Sequence, residues 1–98
     1  MPFAVMTSVK VRPGSIDVLA ALFDETNREL VAGHDDWMAA WFTANRVNSE
    51  IVVIAHWRDP DSYERLRSSA AFQSTMARFA EFFAAPPEIS INEILVEM

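Results

Sequence analysis

Cysteine is absent from the 98 residues. No disulfide, thiolate metal site, iron–sulfur cluster or cysteine nucleophile is available to this chain. The same absence fits a reducing, cytoplasmic setting. Glycine is scarce as well. Gly14 and Gly33 stand alone and far apart, which excludes a glycine-rich phosphate loop. Histidine occurs only as His34 and His56. Neither has an acidic partner at a recognised ligand spacing, so no metal site is expected. No nucleophile-elbow pattern occurs, and a Ser-His-acid triad is not expected. No apolar run approaches the roughly 20 residues of a membrane span. Met1-Pro2-Phe3-Ala4 lacks the basic start and apolar stretch of a signal peptide. Positive charge is in short supply: 8 Lys and Arg stand against 14 Asp and Glu, a net charge of −6. That argues against nucleic acid or an anionic membrane as the main partner.

What is present is apolar. Hydrophobic residues are 51% of the chain and charged residues 22%, the composition of a folded globular protein. The length fits one domain over residues 1–98. A chain of this size buries roughly 60–65% of the surface its unfolded form exposes, so its core is modest unless a partner chain adds to it.

Phe3 to Val11 alternates and is rich in β-branched residues, which predicts a strand. Pro13-Gly14-Ser15 breaks it, and Ser15 is a suitable helix cap. Ile16, Leu19, Phe23 and Leu30 then share a helical face, predicting a helix over 16–32 with Gly33 as its stop. Trp37 to Ala44 reads as a second strand, Asn45 to Ser49 as a turn, and Glu50 to Trp57 as a third strand. Asp59-Pro60 pairs a capping residue with the first helical position, and a short helix follows to about Arg67. A longer helix is expected over 70–84. Its stripe is Phe72, Met76, Phe79 and Phe83, and Pro86-Pro87 ends it. Ile89 to Met98 reads as a last strand. Its apolar parity changes between Ile91 and Ile94, which predicts a bulge near Asn92.

Strand, helix, strand, strand, helix, strand is the order of a ferredoxin-like α+β fold, an antiparallel sheet with helices on one face. Helices on one face leave the other uncovered. Yet strand three has Ile51, Val53, Ala55 and Trp57 on one face and Val52, Ile54 and His56 on the other. A sheet apolar on both faces wants a cover on both. A second copy of the chain supplies it, so a homodimer through the sheet face is expected. A face open to another protein is the alternative.

The residues left to carry chemistry are aromatic. Trp57 ends strand three, Tyr63 lies in the first turn of the short helix, and Phe72, Met76 and Phe79 line the next helix. Tyr63 and Leu66 share a face, which turns Tyr63 toward the sheet. Trp57 and Tyr63 then meet between sheet and helices, in an apolar pocket with an indole N–H and a phenol O–H. A plain aromatic core with satisfied polar tips is the other reading of the same residues.

Trp57-Arg58-Asp59-Pro60-Asp61-Ser62-Tyr63, followed by Ser68-Ser69-Ala70-Ala71-Phe72, resembles the signature of antibiotic biosynthesis monooxygenase domains. Val9-Lys10-Val11-Arg12-Pro13-Gly14 is similar to that family's first strand and turn. The resemblance runs from about Phe3 to Val96. It implies a dimeric α+β barrel built from two ferredoxin-like sheets. It also implies oxidation of a planar aromatic, phenolic or quinol-like small molecule by dioxygen without a cofactor. In the branch that oxidises polyketide phenols, an Asn, the strand-ending Trp, the helix Tyr and a later Arg line the site. Trp57 and Tyr63 match in type and spacing, which makes them the catalytic candidates. Val53 stands at the Asn position. The Arg position falls at Ala77, with Arg78 beside it. Thr7 offers a hydroxyl from strand one, so Thr7, Val53, Phe72, Met76, Arg78 and Phe79 are the candidate substrate-binding residues. A haem-degrading branch has its working residues where Thr7, Leu66 and Met76 stand here, and none matches. A non-catalytic small-molecule-binding homodimer and a purely structural module are the alternatives to an enzyme.

Overall fold

The computed structural model describes residues 2–31 and 33–98. Strand β1 spans Phe3–Lys10, helix α1 Ile16–Val31, β2 Trp37–Asn45, β3 Glu50–Trp57, α2 Pro60–Arg67, α3 Ala70–Ala80 and β4 Glu88–Glu93. The predicted order therefore holds, with two helices between the third and fourth strands. The sheet is antiparallel throughout, in the order β2-β3-β1-β4. Its inner face carries Phe3, Val5 and Val9 of β1 against Trp57, Ala55 and Ile51 of β3. The three helices supply the other half of the core. Leu19 packs with Val9, Val11 and Ile51, while Leu66 and Tyr63 pack with Phe3, Val5 and Trp57. Each fully buried aliphatic or aromatic side chain stabilises the fold by about 1.5–3 kcal/mol.

The closed barrel is not formed. The sheet is open, because β2 and β4 are its edges and do not pair with each other. The chain supplies four strands, half of the about eight whose barrel interior side chains just fill.

Local chemistry explains the boundaries. Asp59 accepts a hydrogen bond from Asp61 N at 2.9 Å and Pro60 opens α2. Ser69 caps α3 by accepting from Phe72 N at 3.1 Å. Gly33 adopts φ +82° just beyond α1, a conformation that favours glycine. Asn45 Oδ1 accepts from the N–H groups of Val47 and Asn48 in the β2–β3 turn. Ala32, the expected last residue of the first helix, lies outside the described residues.

Two boundaries differ from expectation by more than one residue. Helix α3 stops at Ala80 rather than Ala84. Arg12 N donates to Phe82 O at 2.9 Å and Ala84 N donates to Lys10 O at 2.8 Å. The extension of β1 thus takes the backbone groups that another helical turn would use. The last strand ends at Glu93, and its register against β1 runs from Ser8↔Glu88 to Phe3↔Glu93 without a bulge at Asn92. Pairing stops because β1 stops: Pro2 has no N–H, and only its carbonyl is used, by Ile94 N at 3.1 Å. The sheet's irregularity is in β2 instead, between Trp37 and Ala39. It turns Trp37 and Phe42 to the inner face and Trp41 to the outer one. No helix among the described residues is long and apolar enough to cross a membrane.

Candidate functional site

Between the inner sheet face and the helices lies a partly enclosed cavity of about 130 Å³. The sheet contributes Thr7, Val53 and Trp57, and the helices contribute Tyr63, Phe72, Met76 and Phe79. Seven of the eight candidates from the sequence thus come together. Arg78 does not. It is exposed and lines a separate, more open depression with Leu22, Glu25 and Phe82. On α3 it follows Met76 by two residues, which turns it away from the face that meets the sheet.

Trp57 reaches the cavity because Phe3, Val5, Ala55 and Trp57 share the inner face. Its ring meets Tyr63 edge-on at 5.8 Å and His34 edge-on at 6.1 Å. Its indole nitrogen is buried without a hydrogen-bond partner among the described residues. Most buried polar groups are paired, so this donor stands out. Tyr63 is fixed from behind by its neighbour. Buried Ser62 donates to the Asp36 carboxylate and accepts from Arg65 at 2.9 Å. That network ties α2 to the loop before β2, and the 2.7 Å bond from Arg58 N to Asp36 O ties the turn between β3 and α2 to the same loop.

The wall is almost wholly uncharged. Tyr63 is the one titratable side chain among the described residues that line it. Burial pushes its phenol above the ordinary value; nearby Arg67 pulls it back less, and Glu64 adds a small push upward. The phenol is therefore held protonated at neutral pH and acts as a hydrogen-bonding group rather than a base. The hydroxyls of Tyr63 and Thr7 bond to no protein group among the described residues. Such a site suits a small, uncharged, largely apolar molecule with a few polar atoms. No group of three or more His, Asp or Glu among the described residues is arranged to hold a metal ion.

One polar lining residue is absent from the sequence candidates. Asn27, half-buried on α1, also faces the cavity. It stands four residues after Phe23 and three before Leu30, both of which line the same wall. That spacing is the available signal. Thr26 lines the wall too, but its hydroxyl donates to Leu22 O at 2.7 Å within its own helix.

Solved structures with this fold include Rv0793 from Mycobacterium tuberculosis, at TM-score 0.81 and 21% identity, covering 99% of this chain and 98% of that one. A second is SnoaB, a cofactor-independent oxygenase from Streptomyces nogalater, seen in a mutant form at TM-score 0.83 and 15% identity, with 99% and 96% covered. A third is a conserved protein from Methanosarcina mazei, at TM-score 0.80 and 15% identity, with 93% and 90% covered. At these identities the likeness is one of fold. No curated protein matches the chain in sequence. The family model for antibiotic biosynthesis monooxygenase matches residues 2–78, most of the chain. The chain therefore belongs to the antibiotic biosynthesis monooxygenase family.

Proposed function

We propose that this protein is a cofactor-independent monooxygenase that oxidises a planar phenolic or quinol-like small molecule in the cavity between sheet and helices. One observation carries the reading. The apolar cavity presents neutral hydrogen-bonding side chains, Tyr63 and Thr7, that no protein group among the described residues engages. Membership of the family and the likeness of fold to a cofactor-independent oxygenase support it.

The substrate supplies the electrons. Its hydroxyl loses a proton to water at the mouth, and the electron-rich anion passes one electron to dioxygen. In the whole reaction a ring C–H becomes C=O. One oxygen atom of dioxygen enters the ring, and the other leaves as water with the hydrogens of the O–H and C–H groups. Tyr63 orients the reacting oxygen by a hydrogen bond, and Trp57 walls the ring. Thr7, Val53, Phe72, Met76 and Phe79 contact the ring and exclude water. Arg78 has no part in this site.

The working form is a homodimer joined through the outer sheet face. Trp41 on that face is 49% exposed and Met6 39%, beside Val52 and Ile54. An apolar patch of this kind on a sheet face suits an isologous contact.

Oxygen uptake by purified, metal-free protein tests the reading against anthrones, naphthols and hydroquinones, with Tyr63→Phe as control. Uptake that saturates with substrate and falls sharply in the variant supports it. No uptake above background overturns it. A non-catalytic binding homodimer is the second reading, favoured by the lack of any carboxylate, imidazole or amine among the described lining residues. Saturable binding without oxygen consumption would establish that instead.

A further inference from the structure

We propose that Asn27 sets the ligand specificity of the cavity, its carboxamide pairing with an oxygen of an uncharged, single-ring phenol or quinol. The inference rests on the cavity being the binding site proposed above and names its ligand class.

Size limits the ligand. The cavity, at about 130 Å³, is close to the roughly 150 Å³ in which a buried apolar site takes up benzene. One ring fits inside, while two or three fused rings must extend through the mouth or move the walls. Charge limits it further. No lining side chain among the described residues is charged, and Tyr63 is held neutral. An ionised ligand has no counter-charge there, so the form taken up from solution is neutral and any proton is lost after binding.

Asn27 then supplies the selectivity. Asparagine is a poor helix former, and its short carboxamide competes with the backbone for hydrogen bonds. Here it sits inside α1 with Phe23 and Leu30 a turn away on either side. Thr26 spends its hydroxyl on its own helix. The Asn27 carboxamide does not, and it bonds to no group among the described residues. Asn27 is one of the residues that line the cavity, and its carboxamide carries two N–H donors and one acceptor oxygen. That pair serves a hydroxyl and a carbonyl equally, so it accommodates both the reduced ring and its oxidised product. Tyr63 on α2 and Thr7 on β1 present hydroxyls from other walls. A ring held among the three meets polar groups on more than one side, which fits a ring carrying more than one oxygen.

The test is calorimetric titration under nitrogen with phenol and toluene, which share a shape and differ by a hydroxyl in place of a methyl group. The variants are Asn27→Ala, which adds no bulk and suits a helix, and Asn27→Leu, which keeps the size and removes the amide. The expected result is a phenol-to-toluene affinity ratio about tenfold lower in both variants, with toluene affinity within threefold of the parent protein. In the parent protein 1-naphthol should bind more weakly than phenol. A ratio within twofold of the parent value overturns the role of Asn27. Tighter binding of 1-naphthol, or no uptake of phenol or toluene by the parent protein, overturns the single-ring class. If one variant does not fold, the other carries the comparison. Oxygen consumption is read separately. A phenol preference lost on Asn27→Ala in a protein that consumes no oxygen keeps the specificity role and removes the monooxygenase reading. Oxygen consumption with an unchanged ratio does the reverse.

Discussion

Replacing Tyr63 by phenylalanine isolates a hydroxyl from the ring that carries it. The ring meets Phe3 edge-on at 6.3 Å and Trp57 edge-on at 5.8 Å. Phenylalanine keeps both contacts. The hydroxyl bonds to no protein group among the described residues, so its loss leaves no partner stranded. Stability should stay within about 0.5 kcal/mol of the parent protein. For a chain of this size that is a melting shift below about 4 °C. Turnover should respond differently. A hydroxyl that orients the reacting oxygen contributes about 1.4–2.7 kcal/mol to the transition state, so kcat/KM should fall about tenfold to hundredfold. An oxygen electrode gives the rate on whichever compound of the aromatic panel turns over, and scanning calorimetry gives the stability. Unchanged turnover, or a melting drop beyond about 8 °C, refutes the reasoning, because the hydroxyl is then idle or structural.

Ser62→Ala should cost about 1 kcal/mol in urea unfolding, since it removes a hydrogen bond from the half-buried Asp36 carboxylate, and it should raise KM by loosening Tyr63. Trp41→Glu places a charge on the outer sheet face, and sedimentation should show the proposed dimer for the parent chain and a monomer for the variant; a parent monomer or a persisting dimer refutes the contact. Tyr63 is the sole tyrosine, so tyrosinate absorbance reports its titration directly, with a midpoint above the usual value of about 10. In the window from that usual value up to the folded one, the native chain keeps a proton that the unfolded chain has released. Stability must therefore fall as pH rises through the window, and Tyr63→Phe should flatten that slope in melts taken at alkaline pH.

Much of the fold was legible because local rules and burial agree. The run Ile51 to Ile54 reads as a strand in any context, and Asp59-Pro60 marks a helix start by capping chemistry alone. The ends were harder, because tertiary pairing decides them. Phe82 to Ala84 continue an apolar helical stripe, yet the backbone beyond β1 captures them. The tail after Glu93 alternates poorly because it has no partner strand, and a bulge was the wrong inference from that pattern. The open sheet differs from the implied barrel for a related reason. Element order in one chain says which strands are neighbours but not whether its sheet closes with another into a barrel. In the site, the apolar wall followed from strand parity and from the stripe on α3. Arg78 was carried in by its nearness to a family position, and the helix turns it elsewhere. Asn27 was missed because a polar residue at the rim of an apolar stripe looks like the start of a solvated face.

The cavity's neutrality bears on how such a site can work at all. Electron transfer to dioxygen needs an anionic ring, and an apolar cavity disfavours anions. No lining group among the described residues compensates with positive charge, and Tyr63 is kept protonated by its burial. On the proposed reading, what remains is hydrogen bonding to the developing oxyanion from neutral side chains of the wall, Tyr63, Thr7 and Asn27. Neutral donors fixed in a dry site stabilise growing negative charge without holding a counter-ion in the resting state. Their position is set by packing: Ser62 and Asp36 hold α2, and the inner sheet face holds Thr7. The same dryness slows reprotonation of the anion once it forms, which gives it time to react with dioxygen. On this reading the fold's contribution is placement and exclusion, and the reactivity belongs to the ligand.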